Sequence, residues 1–134
     1  MNIPEVSEKT LLLQDACFYY AKEIIASKQN LIPFGAFLSS NNEIIIEDPS
    51  HKSDLHKNRI EYLSHKLKRL SSKGKINTWI ICFDGVLNKK ELENKDAICI
   101  EIHNKNENHV TNLYYPYEWN KNEIKFTSPI SIKE

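Results

Sequence analysis

The chain of 134 residues carries 18 basic and 18 acidic side chains, so its formal charge is zero and no global field favours nucleic acid or an anionic membrane surface. A chain of this length is expected to form one domain and to bury about two-thirds of its unfolded surface, which excludes dependence on a disulfide or metal staple. With 40 % apolar and 27 % charged residues, the composition is that of an ordinary globular protein.

Three cysteines, Cys17, Cys82 and Cys99, each sit in an apolar run with no C-x-x-C spacing. An odd count without pairing motifs predicts free, buried thiols in a reducing compartment. The opening MNIPEVSEKT has neither the basic start nor the apolar stretch of a secretory signal. No apolar run approaches the roughly 20 residues of a membrane helix, so a cytoplasmic protein without membrane contact is expected.

In chain order, residues 6–29 read as a helix. Leu13, Cys17, Tyr20 and Ile24 recur at spacings of three and four, and Leu12, Ala16, Ala21 and Ile25 widen the stripe. Ser7 fits the N-cap, with Pro4 ahead of it. Leu31 to Leu38 and Glu43 to Glu47 then form two short strands around the turn Ser39-Ser40-Asn41-Asn42, where asparagine tolerates positive φ. Gly35 inside the first strand signals a bulge or a close backbone approach, and Pro33 a bent or edge entry.

A second helix is expected over residues 53–73. Ser53 or Asp54 would cap it, and Leu55, Ile60, Leu63, Leu67 and Leu70 make its stripe. Gly74 terminates it, with Lys68, Arg69 and Lys73 in its last turns. Ile80 to Phe83 is apolar at successive positions, which predicts a central strand covered on both faces. Asp84-Gly85 reads better as a bulge in one long strand than as a turn, because Val86-Leu87 continues the pattern. After the polar KKELENK, residues 96–104 alternate, with Ile98, Ile100 and Ile102 on one face and Cys99, Glu101 and His103 on the other. A returning strand spans 109–117, with Pro116 near its end, and a short last strand follows over Ile124 to Phe126.

The order α-β-β-α-β-β-β, with that short last strand as a further addition, predicts an α+β domain over residues 1–134. Its single antiparallel sheet has five or six strands, with two main helices packed on it. This order resembles the roadblock and profilin-like architectures, a likeness of topology that carries no activity.

Three local patterns carry a second resemblance: Pro33-Phe34-Gly35-Ala36, Asp96-Ala97 with Glu101, and Tyr115-Pro116-Tyr117. In that order they resemble a group of small bacterial α+β proteins for which no activity is established. Ile32 departs from the pattern, which has an aromatic there. The resemblance implies a solitary accessory domain, and an immunity partner of a secreted toxin is one form such small proteins take.

Most catalytic chemistry finds no pattern in the chain. His51, His56, His65, His103 and His109 lack H-E-x-x-H and any Cys/His pairing at zinc spacing, so surface histidines and no metal are expected. Three glycines cannot build a phosphate cradle, and no cofactor is expected. Glu101 and His103 share a strand face at a spacing of two, an arrangement in which a carboxylate orients a general base. Cys99 is on that face, but strand rise sets it about 13 Å from His103, too far for a nucleophile–base pair. Residues 51–75 carry eight cations against Asp54 and Glu61. The arginine-poor, aromatic-poor run reads as a solvated basic face more than a nucleic-acid interface.

Function therefore reads as a non-catalytic protein-binding or accessory protein, in one form an immunity protein that neutralises a toxin. The alternatives are a small hydrolase or transferase using His103 and Glu101, and a nucleic-acid binder using the basic helix. Tyr115, Tyr117 and Trp119, with Lys66 and Arg69 on the second helix, are the candidate partner-binding residues, because tyrosine and tryptophan concentrate at binding hot spots. At least one of the three aromatics is expected to be substantially exposed.

Overall fold

A computed structural model describes residues 8–48, 56–87 and 95–133. The expected caps Ser7, Ser53 and Asp54, together with Pro4, His51, Leu55 and most of KKELENK, lie outside the described residues. Helix α1 spans Glu8–Ala26, strands β1 and β2 span Phe34–Leu38 and Ile44–Glu47, and helix α2 spans His56–Ser72. Strands β3 (Thr78–Leu87), β4 (Lys95–Asn104), β5 (Thr111–Asn120), β6 (Glu123–Phe126) and β7 (Ile130–Lys133) complete the chain.

All strand pairs are antiparallel and form one sheet in the order β2-β1-β3-β4-β5-β6, with β7 also on β5. The α+β class and the element order are as expected, and the sheet gains a seventh strand. β6 pairs with Tyr117 to Asn120 and β7 with Thr111 to Tyr114, so the two follow one another along a single edge of β5. Pro116 sits at the junction between them. Its carbonyl accepts from Thr127 N at 3.0 Å, so the N–H that proline lacks would point into the gap between the two short strands. A proline in mid-strand is tolerated there, which is why β5 runs past the end expected at Tyr117.

Both helices end in paired i+3 and i+5 hydrogen bonds around a left-handed residue. In α2 this residue is Gly74 (φ 72), with Gly74 N on Ser71 O and Lys75 N on Leu70 O. In α1 it is Lys28 (φ 60), with Lys28 N on Ile25 O and Gln29 N on Ile24 O, which stops the helix before residue 29 without a glycine. The β1–β2 turn places Asn42 at φ 62, as asparagine allows, and Ser39 Oγ accepts from Asn41 N and Glu43 N.

The helices lie on opposite faces of the sheet. Leu13, Cys17, Ala21 and Ile25 of α1 pack on Phe34, Ala36, Ile80, Cys82, Ile98, Ile100 and Ile102. Leu63 and Leu67 of α2 pack on Trp79 and Ile81, with Ile76 closing the layer. Ile80 to Cys82 is buried on both faces, as a central strand requires. Gly35 is a close approach rather than a bulge: a Cβ there would lie 2.8 Å from Leu67 Cδ1. Gly85 stays in register opposite Ala97, so β3 is one long strand without the expected bulge. A Cβ at 85 would press on Cys99 Sγ at 3.1 Å. Among the described residues no helix is long and apolar enough to cross a membrane.

Candidate functional site

β5 alternates, so Tyr115, Tyr117 and Trp119 all face α1. Tyr115 is 8 % and Tyr117 6 % exposed, whereas Trp119 is 37 % exposed. The two tyrosines are therefore core residues and not a docking surface. Phe18 of α1 stacks on Tyr115 at 4.2 Å, and Gln14 Nε2 donates to the Tyr115 hydroxyl at 3.2 Å. Tyr117 donates to Asp84 Oδ1 at 2.8 Å. Burial, and then that hydrogen bond, raise the Tyr117 pKa well above the usual phenol value.

Trp119 keeps the expected accessibility because it lies beyond the end of α1. Lys28 Nζ stands 5.8 Å from its ring centroid and donates to Asn122 Oδ1 at 3.1 Å. Between them opens a hollow of about 410 Å³, bounded by Ile25, Lys28, Asp84, Tyr117, Trp119 and Lys121.

Lys66 and Arg69 are on the other side of the molecule, with α2. The structure therefore does not bring the two halves of the expected partner site together. Lys66 Nζ is 2.8 Å from Glu47 Oε2, and this hydrogen bond raises its pKa. Arg69 is exposed, while Arg59, one of the cations of the basic run, is buried at 7 %.

Glu101 and His103 do meet. His103 Nε2 lies 3.2 Å from Glu101 Oε1, and the imidazole stacks on Trp79 with centroids 5.0 Å apart and planes 5° off parallel. His103 lines a hollow of about 390 Å³ between the C-terminal half of α2 and the β4–β5 turn, whose lining also includes Ser64, Lys68, Ser71 and His109. His109 pairs with Glu107 at 3.3 Å on its rim. The arrangement can hold an imidazole in one orientation with one ring nitrogen left for a ligand. Cys99 cannot join as a nucleophile: it is buried and burial pushes its pKa up to about 12, which keeps it a thiol. Among the described residues no group of three or more histidine, cysteine or acidic side chains could hold a metal ion.

The surface that sequence reasoning missed is the outer side of α1. Leu12 (64 %), Tyr19 (61 %) and Tyr20 (48 %) are exposed, although Leu12 and Tyr20 fell in the expected core stripe. Ile44 and Ile46 stand opposite Leu38 and Ala36, so their exposed side chains also face the α1 side. Val86 follows Asp84 on that same face. Among the described residues, none of the exposed large apolar side chains belongs to α2 or to the sheet face beneath it. The clue in the sequence was the length of the apolar arc on α1, too wide for one helix face to bury. No family model matches the chain, and no curated protein and no solved structure matches it either.

Proposed function

We propose that this is a non-catalytic protein-binding or accessory protein whose partner docks on the α1 side. The observation that carries this reading is the one-sided distribution of exposed apolar residues, with Leu12 and Tyr19 on the outer face of α1, Tyr20 at its flank against Phe34, and Trp119 beyond its end. Scattered exposed apolar residues need no explanation, but a concentration on one side does. Tyrosine and tryptophan bury large area at small entropic loss. Binding and neutralising a toxin is one form of this role, and being a complex subunit is another.

The reading is tested by co-expression with the product of an adjacent gene. A stoichiometric complex is expected, weakened at least about tenfold by Leu12→Glu with Tyr19→Glu, a loss of about 1.4 kcal/mol. The melting temperature of the double variant should be unchanged, because both side chains are solvated. Binding that ignores these substitutions would refute the α1 surface.

A second reading, a small hydrolase or transferase, is favoured by the His103–Glu101 hydrogen bond over a hollow. In that case His103→Gln would abolish turnover of ester or phosphoester substrates without loss of fold. Absence of turnover by the unaltered protein would remove this alternative.

A further inference from the structure

β2 forms one border of the sheet, and no strand among the described residues lies beyond it. Which of its backbone groups point outward follows from the hairpin. Ser39 N donates to Glu43 O at 2.8 Å, so Glu43 points at β1. Direction alternates along an antiparallel strand, so Ile45 and Glu47 also point at β1. Ile44 and Ile46 turn their N–H and C=O outward, and their side chains are 41 % and 38 % exposed. The four-residue segment Ile-Ile-Ile-Glu carries neither proline nor lysine nor a bulge to blunt this edge, and its one charge is Glu47.

We propose that the outer edge of β2 pairs with β2 of a second copy of this chain, antiparallel about a two-fold axis at Ile45, so that two sheets become one. A second copy is the occupant because the strand is complementary to itself. In a two-fold contact, residue i meets j wherever j meets i. With Ile45 opposite its own copy, Ile44 lies opposite Ile46 of the other strand, and Ile46 opposite Ile44. These are the residues whose backbone groups point outward, so every outward N–H and C=O of both is paired in one register. On the α1 side the four isoleucines close into one apolar ladder and leave water.

On the α2 side Glu43 comes opposite Glu47 of the other copy. Lys66, 2.8 Å from Glu47, offsets this like-charge pair. The alternative register, with Ile46 opposite itself, would set Asp48 against Ile44 and Glu47 against Ile45 and break the ladder. This contact uses the sheet edge and not the outer stripe of α1, so it stands or fails independently of the partner proposed above.

The test is sedimentation velocity over a concentration series up to about 0.5 mM, because a short strand pairing is a small contact that dilution dissociates. The unaltered chain is expected to form a dimer. Ile46→Pro removes one outward N–H without touching the β1 pairing, and it should give a monomer with an unchanged circular dichroism spectrum. Ile45→Cys should form a disulfide-linked dimer on mild oxidation, since antiparallel non-hydrogen-bonded neighbours are about 4.5 Å apart at Cα. The unaltered chain should not cross-link, because Cys17, Cys82 and Cys99 are buried. A monomer at every concentration overturns the proposal. So does a dimer that survives Ile46→Pro, or an Ile45→Cys variant that fails to cross-link. Should Ile46→Pro unfold the protein, the cross-link alone decides.

Discussion

A methyl group at position 35 would sit 2.8 Å from Leu67 Cδ1 and 3.1 Å from Leu63 Cδ2, both on fully buried side chains that have nowhere to turn. Gly35→Ala is therefore expected to destabilise the protein by about 1–3 kcal/mol, read as a lower urea midpoint at constant slope. A neutral result would show that α2 can shift off the sheet. The glycine was legible in the sequence as either a bulge or a close approach, but the helix it meets was not, since that contact spans about 30 residues.

The thiols were legible too. Burial pushes Cys17 and Cys99 up to about 12 and Cys82 well above its ordinary value. The fold thus holds these protons more tightly than the unfolded chain, whose thiols ionise near pH 8.5. Their contribution is intact below that pH and is lost as pH rises toward the folded values. Each thiol contributes a slope of up to about 1.4 kcal/mol per pH unit over that interval. Unfolding midpoints should fall between pH 8 and pH 10, and fall less for Cys17→Ala. At pH 8 a thiol reagent should react slowly with the native protein and fully after denaturation. What alternation could not reveal was the fate of Tyr115 and Tyr117. It fixes which residues share a face, not which face a helix covers.

At the scale of elements, α1 shows why periodicity alone misplaces a buried stripe. Its sequence is apolar over more than half its circumference, and the structure buries only Thr10, Leu13, Cys17, Ala21 and Ile25. The position of the sheet chooses the arc, and Leu12 and Tyr20 fall outside it. Adjacent leucines should therefore behave differently. Leu13→Ala is expected to cost about 2–5 kcal/mol, and Leu12→Ala less than about 0.5 kcal/mol, by thermal or urea unfolding. Equal effects would mean that α1 is rotated from its described setting. α2, with its narrower stripe, was read more accurately, and Leu63 and Leu67 are its fully buried residues. β7 went unread because Ile130 and Ile132 alternate over only four residues. Its partner is the outer edge of β5 at Thr111 to Tyr114, a pairing that local alternation does not encode.

At the scale of the molecule, the two sides differ in kind, since the exposed apolar residues lie with α1 while α2 presents lysine and arginine. Composition reported a net charge of zero and could not report this segregation, which exists only once the sheet separates the helices. The α2 side is the one on which a nucleic acid would dock, and the structure limits how strongly. Arg59 is buried and Lys66 is engaged by Glu47, which leaves Lys57, Lys68 and Arg69 as the exposed cations of the helix. Neutralising three phosphates gives a slope of log K against log salt of about −2.7 on duplex DNA. Any affinity should then fall about 40-fold between 50 and 200 mM salt, from a weak starting value. A filter or anisotropy titration at the two salt concentrations is expected to give only this shallow, non-specific dependence, and Lys68→Glu with Arg69→Glu should abolish it. Retention of tight binding at 200 mM, or a slope much steeper than −3, would require more contacts than this helix exposes. That outcome would place the partner of α2, and not that of α1, at the centre of the protein's function.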